Sequence, residues 1–445
     1  MQNKNLFSKE VRSSTLWVTF RQVVTLGGGF LVTSATANYL GPEEYGILVF
    51  ALSVFSLIAI TGHLGLGNLV VHELVKEGPR YASGTLGTIT VIKFIGLLLG
   101  SSLLTYLAFY YETNQPALKS IFPILALALV LKIADVFDFW FQSVIRADVV
   151  AKCHIFSFCI AACTSLYGIK NAKPVEWFAL YTLVTGVGIF STLFFAYIFS
   201  SKSPRLCYWH FEYERLRTLA KPAFYSALGT LFSLMSLKVD QIMLHSLVGS
   251  KEVGIYSVAA QISEVWIFIP TALVASIFPG LIILKQSDPI KFNNDFKDII
   301  SCLFVMALIV VAMIFMFGKT IILFFYGDEY LDSILILKIH AFGSIFLFMR
   351  LAFSRWIMIE NALVFSLITH FLGAIINIFL NYLVIPKYGG IGAAVVTVFS
   401  YSISSYWALL ASKKTFPIFM NMTSAILSPI PSFKTFLRTV KTFLN

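Results

Sequence analysis

The chain has 445 residues, of which 58% are hydrophobic and only 12% charged, with 43 Phe and a formal net charge of +11. Soluble domains carry about 25% charged residues, so a water-soluble fold is excluded and an all-α integral membrane protein is expected. Each spanning helix needs about 20 mostly apolar residues, which leaves room for roughly a dozen. The positive balance then reads as a topology signal and an attraction to anionic lipid, not as a nucleic-acid footprint.

In chain order, Lys4, Lys9 and Arg12 lead into a first helix over 14–38, too long for a cleavable signal and expected to stay as an anchor. Apolar runs predict further helices over 45–64, 85–110, 117–141, 150–168 and 176–200. A polar connection follows, and then helices over 222–248, 253–280, 299–317, 332–358, 362–385 and 391–411. The expected domains are a six-helix lobe at 1–200, a cytoplasmic linker at 201–221, a second six-helix lobe at 222–411 and a basic tail at 412–445. In the tail, Ser432 precedes an apolar stripe of Phe433, Leu437, Val440 and Leu444, with Lys434, Arg438 and Lys441 on another face. That pattern predicts a capped helix lying in the membrane interface.

The two lobes echo one another. Tyr39–Ala51 (YLGPEEYGILVFA) matches the end of Ser236–Ala260, with Gly41 opposite Gly249, Gly46 opposite Gly254 and Glu44 opposite Glu252. A helix, a short Gly/Glu loop and a second helix recur in each half, as in a duplicated transporter bundle.

Ten ionisable residues fall inside predicted spans: Arg21, Lys93, Lys132, Lys238, Lys338 and Arg350, with Asp135, Asp138, Asp240 and Glu264. Each costs about 2.5–3.5 kcal/mol if it faces lipid at mid-bilayer, so most must face a wet central cavity or one another. Lys338 and Arg350, nearer the helix ends, can instead snorkel. Lys132 and Asp135 share a face, with Gln142 one heptad on. Ser226, Gly229, Ser233, Ser236 and Asp240 line the seventh helix, and Ser257, Gln261 and Glu264 the eighth. His370, Gly373, Asn377 and Asn381 form a stripe on the eleventh helix that reads as helix–helix packing. Gly27, Gly28, Gly29 and Pro270 are expected bending points.

Catalytic and metal signatures are missing from the sequence: no His-Glu-x-x-His, no Gly-x-Ser-x-Gly, no phosphate-binding loop and no Cys-x-x-Cys. Cys153, Cys159, Cys163, Cys207 and Cys302 read as packing residues. No cofactor or metal is expected, and the protein is read as a transporter, not an enzyme.

Several motifs carry a family resemblance. Ile375–Thr397 (IINIFLNYLVIPKYGGIGAAVVT), LGPEEYG at 40–46, GLG at 65–67, VDQIML at 239–244, VGIYSVAAQI at 253–262 and YGDEY at 326–330 resemble, in order and spacing, Wzx-type O-antigen and polysaccharide flippases. The resemblance implies a twelve-helix, two-lobed exporter in the bacterial inner membrane. Such an exporter moves undecaprenyl-diphosphate-linked oligosaccharide to the outer leaflet, alongside membrane lipid and other polysaccharide-assembly proteins. For that cargo Arg21, Lys93, Lys132, Lys238 and Arg350 are candidate diphosphate ligands. Asp135, Asp138, Asp240 and Glu264 are candidates for ion coupling or charge pairing. The alternatives are a cation-coupled multidrug exporter of the same superfamily and a membrane-embedded glycan polymerase or ligase.

The connection at 201–221 collects Lys202, Arg205, Arg215, Arg217 and Lys221, whereas Lys119, Lys170, Lys173, Lys251, Lys319 and Lys387 lie on the opposite side of the predicted topology. The positive-inside rule therefore puts 201–221 and both termini in the cytoplasm. Cysteine labelling in intact cells should leave residues in 201–221 unmodified by a membrane-impermeant reagent and modify a cysteine placed at Glu43 or Asp328. Labelling of 201–221 from outside would overturn the orientation.

Overall fold

The computed structural model describes residues 9–63, 65–78, 82–111, 115–201, 203–360, 362–428 and 434. The expected interfacial helix over 433–445 lies outside them, apart from Lys434. Among the described residues the regular elements are helices, and ten apolar helical runs are long enough to cross a membrane. Two of these, Leu16–His63 and Val364–Ala411, are 48 residues long, about 72 Å at 1.5 Å per residue, more than twice the hydrocarbon thickness. Each is broken by a glycine in a left-handed conformation, Gly41 (φ 70) in the first and Gly389 (φ 53) in the second. Counted as two spans each, they bring the total to the expected twelve.

The first and second helices lie within Lys9–Ile58 on either side of Gly41, and Ile60–His63 finishes the second. The third is Ala82–Tyr110, the fifth Ala147–Lys170 and the sixth Val175–Ile198. The fourth runs as Pro116–Val130, a 3-10 turn over Leu131–Ala134, and Asp135–Ser143. The seventh is Tyr213–Leu247, and the eighth runs from Ser250 to Ser287 through a 3-10 turn at Val265–Ile267. The ninth is Pro289–Phe325, the tenth Ser333–Ala341 plus Gly343–Ile359, and the eleventh and twelfth are the two sides of Gly389 in Leu363–Ser405.

The duplication is deeper than the sequence match. Gly41 and Gly249 (φ 126) both break the chain between a long helix and its successor, 208 positions apart. At the same offset the break at Ala59 in the second helix corresponds to the end of the 3-10 turn at Ile267 in the eighth. The 3-10 turn ending at Ala134 in the fourth corresponds to the break at Phe342 in the tenth. The break in the eighth helix has a local cause: Pro270 has no N–H to offer the carbonyl of Trp266 and crowds it. The expected bend at 27–29 is not realised, because Gly41 is where the run leaves helical geometry. Gly28 instead makes room for the Phe158 ring, whose Cζ lies 2.6 Å from where a Cβ would stand.

Three boundaries differ from the expectation. A helix over Gly67–Glu77 occupies the connection before the third span and buries Val70 and Leu74, one turn apart, in a core with Trp140 and Tyr197. The ninth helix starts at Pro289 and not near Ile299, because the Asp288 carboxylate accepts the backbone N–H groups of Ile290 (3.1 Å) and Lys291 (2.9 Å), with Pro289 in the first turn. The seventh helix starts at Tyr213, ahead of Pro222, which it carries inside.

Contacts divide the chain between Leu234 and Met235, inside the seventh helix. In the N-terminal unit the fifth helix packs on the first and sixth, and the third on the fourth. The connection at 203–212 is strapped to this unit. Trp140 Nε1 donates to Ser203 Oγ (2.9 Å), Tyr197 OH to the Pro204 carbonyl (2.7 Å), and the Glu212 N–H to Thr88 Oγ1 (2.9 Å). Burial works against the charge of Glu212, but Arg215 and His210 outweigh it and hold its carboxyl below the usual range. The hydrogen bonds to Tyr208 and Glu212 raise His210 in turn. In the C-terminal unit the tenth helix packs on the eighth, ninth and eleventh–twelfth run. Phe416–Leu427, too short to span, rests on the ninth through Ile418, Met422 and Ala425.

Gly389 also holds a specific contact: Glu252 Oε2 accepts the Gly390 N–H at 2.9 Å, and a Cβ on Gly389 would stand 2.8 Å from that oxygen. Gly389→Val should therefore destabilise the protein by about 1–3 kcal/mol. Gly27→Ala, with nothing within 4 Å of the added carbon, should be neutral or slightly stabilising. Thermal unfolding in detergent compares them, and equal melting temperatures would refute the strained-turn assignment.

Candidate functional site

The third and fourth helices meet through Lys93. The second helix ends at His63, and the Leu66 N–H bonds to the His63 carbonyl at 3.0 Å, which leaves the Gly62 carbonyl without a helical partner. Lys93, wholly buried, supplies one: its Nζ donates to Gly62 O at 3.0 Å and to Asp135 Oδ2 at 3.0 Å, beneath the Phe139 ring. Asp135 opens the segment that follows the 3-10 turn of the fourth helix, and its side chain is 32% exposed. One predicted cation and one predicted acid are thus committed to each other and to a broken helix.

Arg21 and Lys132 are placed differently. Lys132 lies in the same 3-10 turn with its ammonium 5.8 Å from the Phe55 ring centre. Arg21 is half-buried on the first helix, within electrostatic reach of Asp138 and of His154 on the fifth. Among the described residues neither side chain makes an ion pair with a carboxylate. Asp138 accepts a hydrogen bond from Gln142 Nε2 at 2.7 Å, and its Oδ2 lies 3.8 Å from His154 Nε2. The N-terminal unit therefore gathers Arg21, Lys93, Lys132, Asp135 and Asp138 around one region, with two cations uncommitted. His154 belongs to the same cluster and was not singled out by sequence, since a lone His on an apolar helix carries no spacing signal.

The C-terminal unit has a second polar centre of another kind. Asp240 is 1% exposed and fully engaged. Its Oδ1 accepts from Asn381 Nδ2 (2.6 Å), and its Oδ2 accepts from Tyr256 OH (2.7 Å) and from the Thr397 hydroxyl. Asn381 Nδ2 also reaches Asn377 Oδ1 at 3.1 Å. Buried and without a partner are Asn381 Oδ1 and Asn377 Nδ2. One carboxylate held by three neutral donors, two hydroxyls and an amide N–H, can exchange such a bond for a proton, and the unpartnered Asn381 Oδ1 offers a neighbouring oxygen to a small monovalent cation. No group of three or more His, Cys, Asp or Glu side chains able to hold a metal occurs among the described residues. The Asn377–Asn381 pair, read from sequence as packing, belongs to this centre. The Asn-x-x-x-Asn spacing facing an intramembrane Asp was the available signal. The stripe's other end does pack: a Cβ on Gly373 would stand 2.8 Å from Ser404.

The remaining predicted residues are dispersed. Glu264 sits at the break of the eighth helix, within electrostatic reach of Lys238 and Asp240, and Lys238 Nζ lies 3.5 Å from Gln241 Oε1. Arg350 is buried among neutral acceptors, donating to the Ser404 carbonyl (2.6 Å) and to Thr369 Oγ1 (3.4 Å). Lys338 lies over the Phe315 ring and lines a cavity of about 570 Å³ with Lys387, Asp332 and Glu252. All five cysteines are free.

Residues 36–335 match the family model described as polysaccharide biosynthesis protein. A Shigella flexneri protein named "Putative O-antigen transporter" is 23% identical over 81% of this chain and 87% of its own length. "Probable flippase AglR" of Haloferax volcanii is 30% identical over 40% of this chain and 38% of its own. Among solved structures, an inward-facing multidrug resistance transporter of the MOP superfamily has a TM-score of 0.70 at 14% identity, covering 93% of this chain and 99% of that one. The lipid II flippase MurJ in an inward closed conformation has 0.69 at 16%, covering 97% and 98%. At these identities the structural matches establish the fold.

Breaking the Lys93–Asp135 pair tests its structural role. Lys93→Met leaves a carboxylate and a helix carbonyl unpaired, and it should cost about 2–4 kcal/mol, below the range for a fully buried pair because Asp135 is partly exposed. Lys93→Met with Asp135→Leu should recover part of that loss. A double variant no more stable than Lys93→Met alone, by melting temperature, would show that the pair does not hold the break.

Proposed function

The chain belongs to the polysaccharide biosynthesis protein family and is a multi-pass membrane protein with the MOP-superfamily fold, and on that premise we propose that it is a flippase for lipid-linked oligosaccharide. The cargo is undecaprenyl-diphosphate-linked repeat units, moved from the inner to the outer leaflet of the bacterial inner membrane by alternating access. The observation that carries this reading is the pair of uncommitted cations, Arg21 and Lys132, inside the spans of the N-terminal unit. An intramembrane cation without a carboxylate costs several kcal/mol unless it has a task, and an anionic diphosphate supplies one. Arg21 offers the planar fork that grips phosphate oxygens and Lys132 a point charge. A cationic drug as cargo would meet repulsion here. Lys93, already spent on Asp135 and Gly62, positions this region without offering its charge.

Ion coupling falls to the other unit. Asp240, in its ring of Tyr256, Asn381 and Thr397, binds a proton or small cation whose gradient drives the cycle. Glu264 stands within electrostatic reach of Asp240 and of Lys238.

Flipping of a lipid-linked oligosaccharide in vesicles containing the purified protein tests both assignments. Arg21→Ala and Lys132→Ala should each lower the rate by at least about tenfold, or 1.4 kcal/mol, with normal insertion. Lys132→Arg should retain part of it, and Lys338→Ala most of it. Asp240→Asn should leave a slow rate that no longer responds to an imposed gradient. Full activity with both Arg21 and Lys132 neutralised would refute the diphosphate site, and an unchanged gradient response in Asp240→Asn would refute the coupling assignment.

A further inference from the structure

The N-terminal cluster holds one titratable side chain that the proposed function does not use. His154 Nε2 is buried and has no hydrogen-bond partner, and it points at Asp138 Oδ2 across 3.8 Å. That gap is too long for a hydrogen bond and short enough to close with a small side-chain adjustment. Asp138 Oδ1 is held by Gln142. Oδ2 therefore faces His154, with Arg21 in electrostatic reach of both.

The charge balance of the cluster gives this arrangement a meaning. Lys93 and Asp135 cancel. Arg21 and Lys132 against Asp138 leave a single net positive charge with His154 neutral, and two with His154 protonated. A diphosphate esterified at both ends, by lipid and by sugar, carries two negative charges and no group that titrates near neutrality. While His154 is neutral, the uncompensated charge of Asp138 stands in the field of Arg21 and opposes an arriving phosphate. A proton on His154 Nε2 gives Asp138 a cationic donor and offsets that charge.

We propose that His154 is the proton-binding residue of the diphosphate site: binding of a diphosphate diester at Arg21 and Lys132 takes up one proton from solution onto His154 Nε2. The protonated ring donates to Asp138 Oδ2, and the proton returns to solution when the ligand leaves. The only bond made on binding and broken on release is Nε2–H. The role deepens the flippase reading and rests on it.

The other charged groups in the field have fixed parts. From the first helix comes Arg21, from the second His63, from the third Lys93, and from the fourth Lys132, Asp135 and Asp138. On the fifth helix itself Asp148 is occupied by Arg146 and Lys152, and Cys153 faces Thr192 of the sixth. His63 is the other imidazole here, and it feels Lys93 and Lys132 as well as Asp135, so it is the control. Because bound ligand stabilises the protonated form, affinity must rise as pH falls from the ligand-bound pKa of His154 towards its ligand-free pKa, and level off below it.

The test uses the full chain in lipid nanodiscs and a synthetic farnesyl diphosphate ester of N-acetylglucosamine, whose two phosphates are both esterified. Calorimetry in two buffers of different ionisation enthalpy counts the protons exchanged on binding. Wild type should take up close to one proton at about pH 7.5 and bind at least about tenfold more tightly at about pH 6 than at pH 8. His154→Gln keeps a donor towards Asp138 but cannot titrate, so it should bind with no proton uptake and a flat pH profile. His63→Gln should behave as wild type, and His154→Asn provides a second variant should His154→Gln fold poorly. Wild-type binding without proton uptake, or undiminished uptake in a folded His154 variant, overturns the proposal while the diphosphate site stands. No ligand binding by wild type at any pH overturns the flippase reading and this role with it.

Discussion

The N-terminal unit depends on Lys93. In a bilayer every backbone carbonyl must find its donor within the protein, because the hydrocarbon offers none. Gly62 loses its helical donor where the second helix stops, and an ammonium from the third helix replaces it while neutralising Asp135 on the fourth. One side chain thereby fixes three helices at the point where two of them are irregular. The 3-10 turn that this stabilises is the segment that carries Lys132, so the cation that remains available is positioned by the cation that is not.

The duplication gave both units the same breaks, and they have been filled differently. The position of Lys132, moved 208 residues on, is His340, which is buried and bonded through Nδ1 to Ser263 Oγ at 2.7 Å. Where the N-terminal unit keeps a free charge, its counterpart keeps a satisfied neutral network, and the acid of that unit, Asp240, is closed in by hydrogen-bond donors. This division has a physical logic. A carboxylate beside an anionic cargo weakens its binding, so an acid that carries a coupling ion is best held on another element. The two acids of the N-terminal cluster, Asp135 and Asp138, each have a local partner, Lys93 and Gln142.

The glycines at 41, 249 and 389 show a second constraint at work. A chain that leaves one span and enters the next within a few residues needs a backbone conformation that side chains resist. Glu252 adds a carboxylate to the last of these turns and takes up the N–H that the turn exposes at Gly390. Its repeat partner Glu44 is exposed, so the shared Glu of the two motifs serves different ends.

The sequence by itself determined the class, the helical spans, the repeated helix–glycine–helix pattern and which charges fall within apolar helices. Those follow from hydropathy and helical period, which are local and additive along the chain. It also carried signals that apolar averaging hid: Asp288-Pro289 marks the start of the ninth helix, but Lys291, Asp295, Lys297 and Asp298 keep that first stretch out of any hydrophobic window. Tertiary structure alone decided which charges are spent and which are free. Lys93 and Lys132 are alike in sequence, each a lysine among apolar residues, and only the approach of Gly62 and Asp135 to one and of Phe55 to the other separates them. Asn381 likewise became a partner of Asp240, with Asn377 behind it, and not a packing residue because the seventh, eighth, eleventh and twelfth helices converge there. Pairing within a membrane depends on distances between helices far apart in the chain, and no periodicity along a single helix encodes those distances.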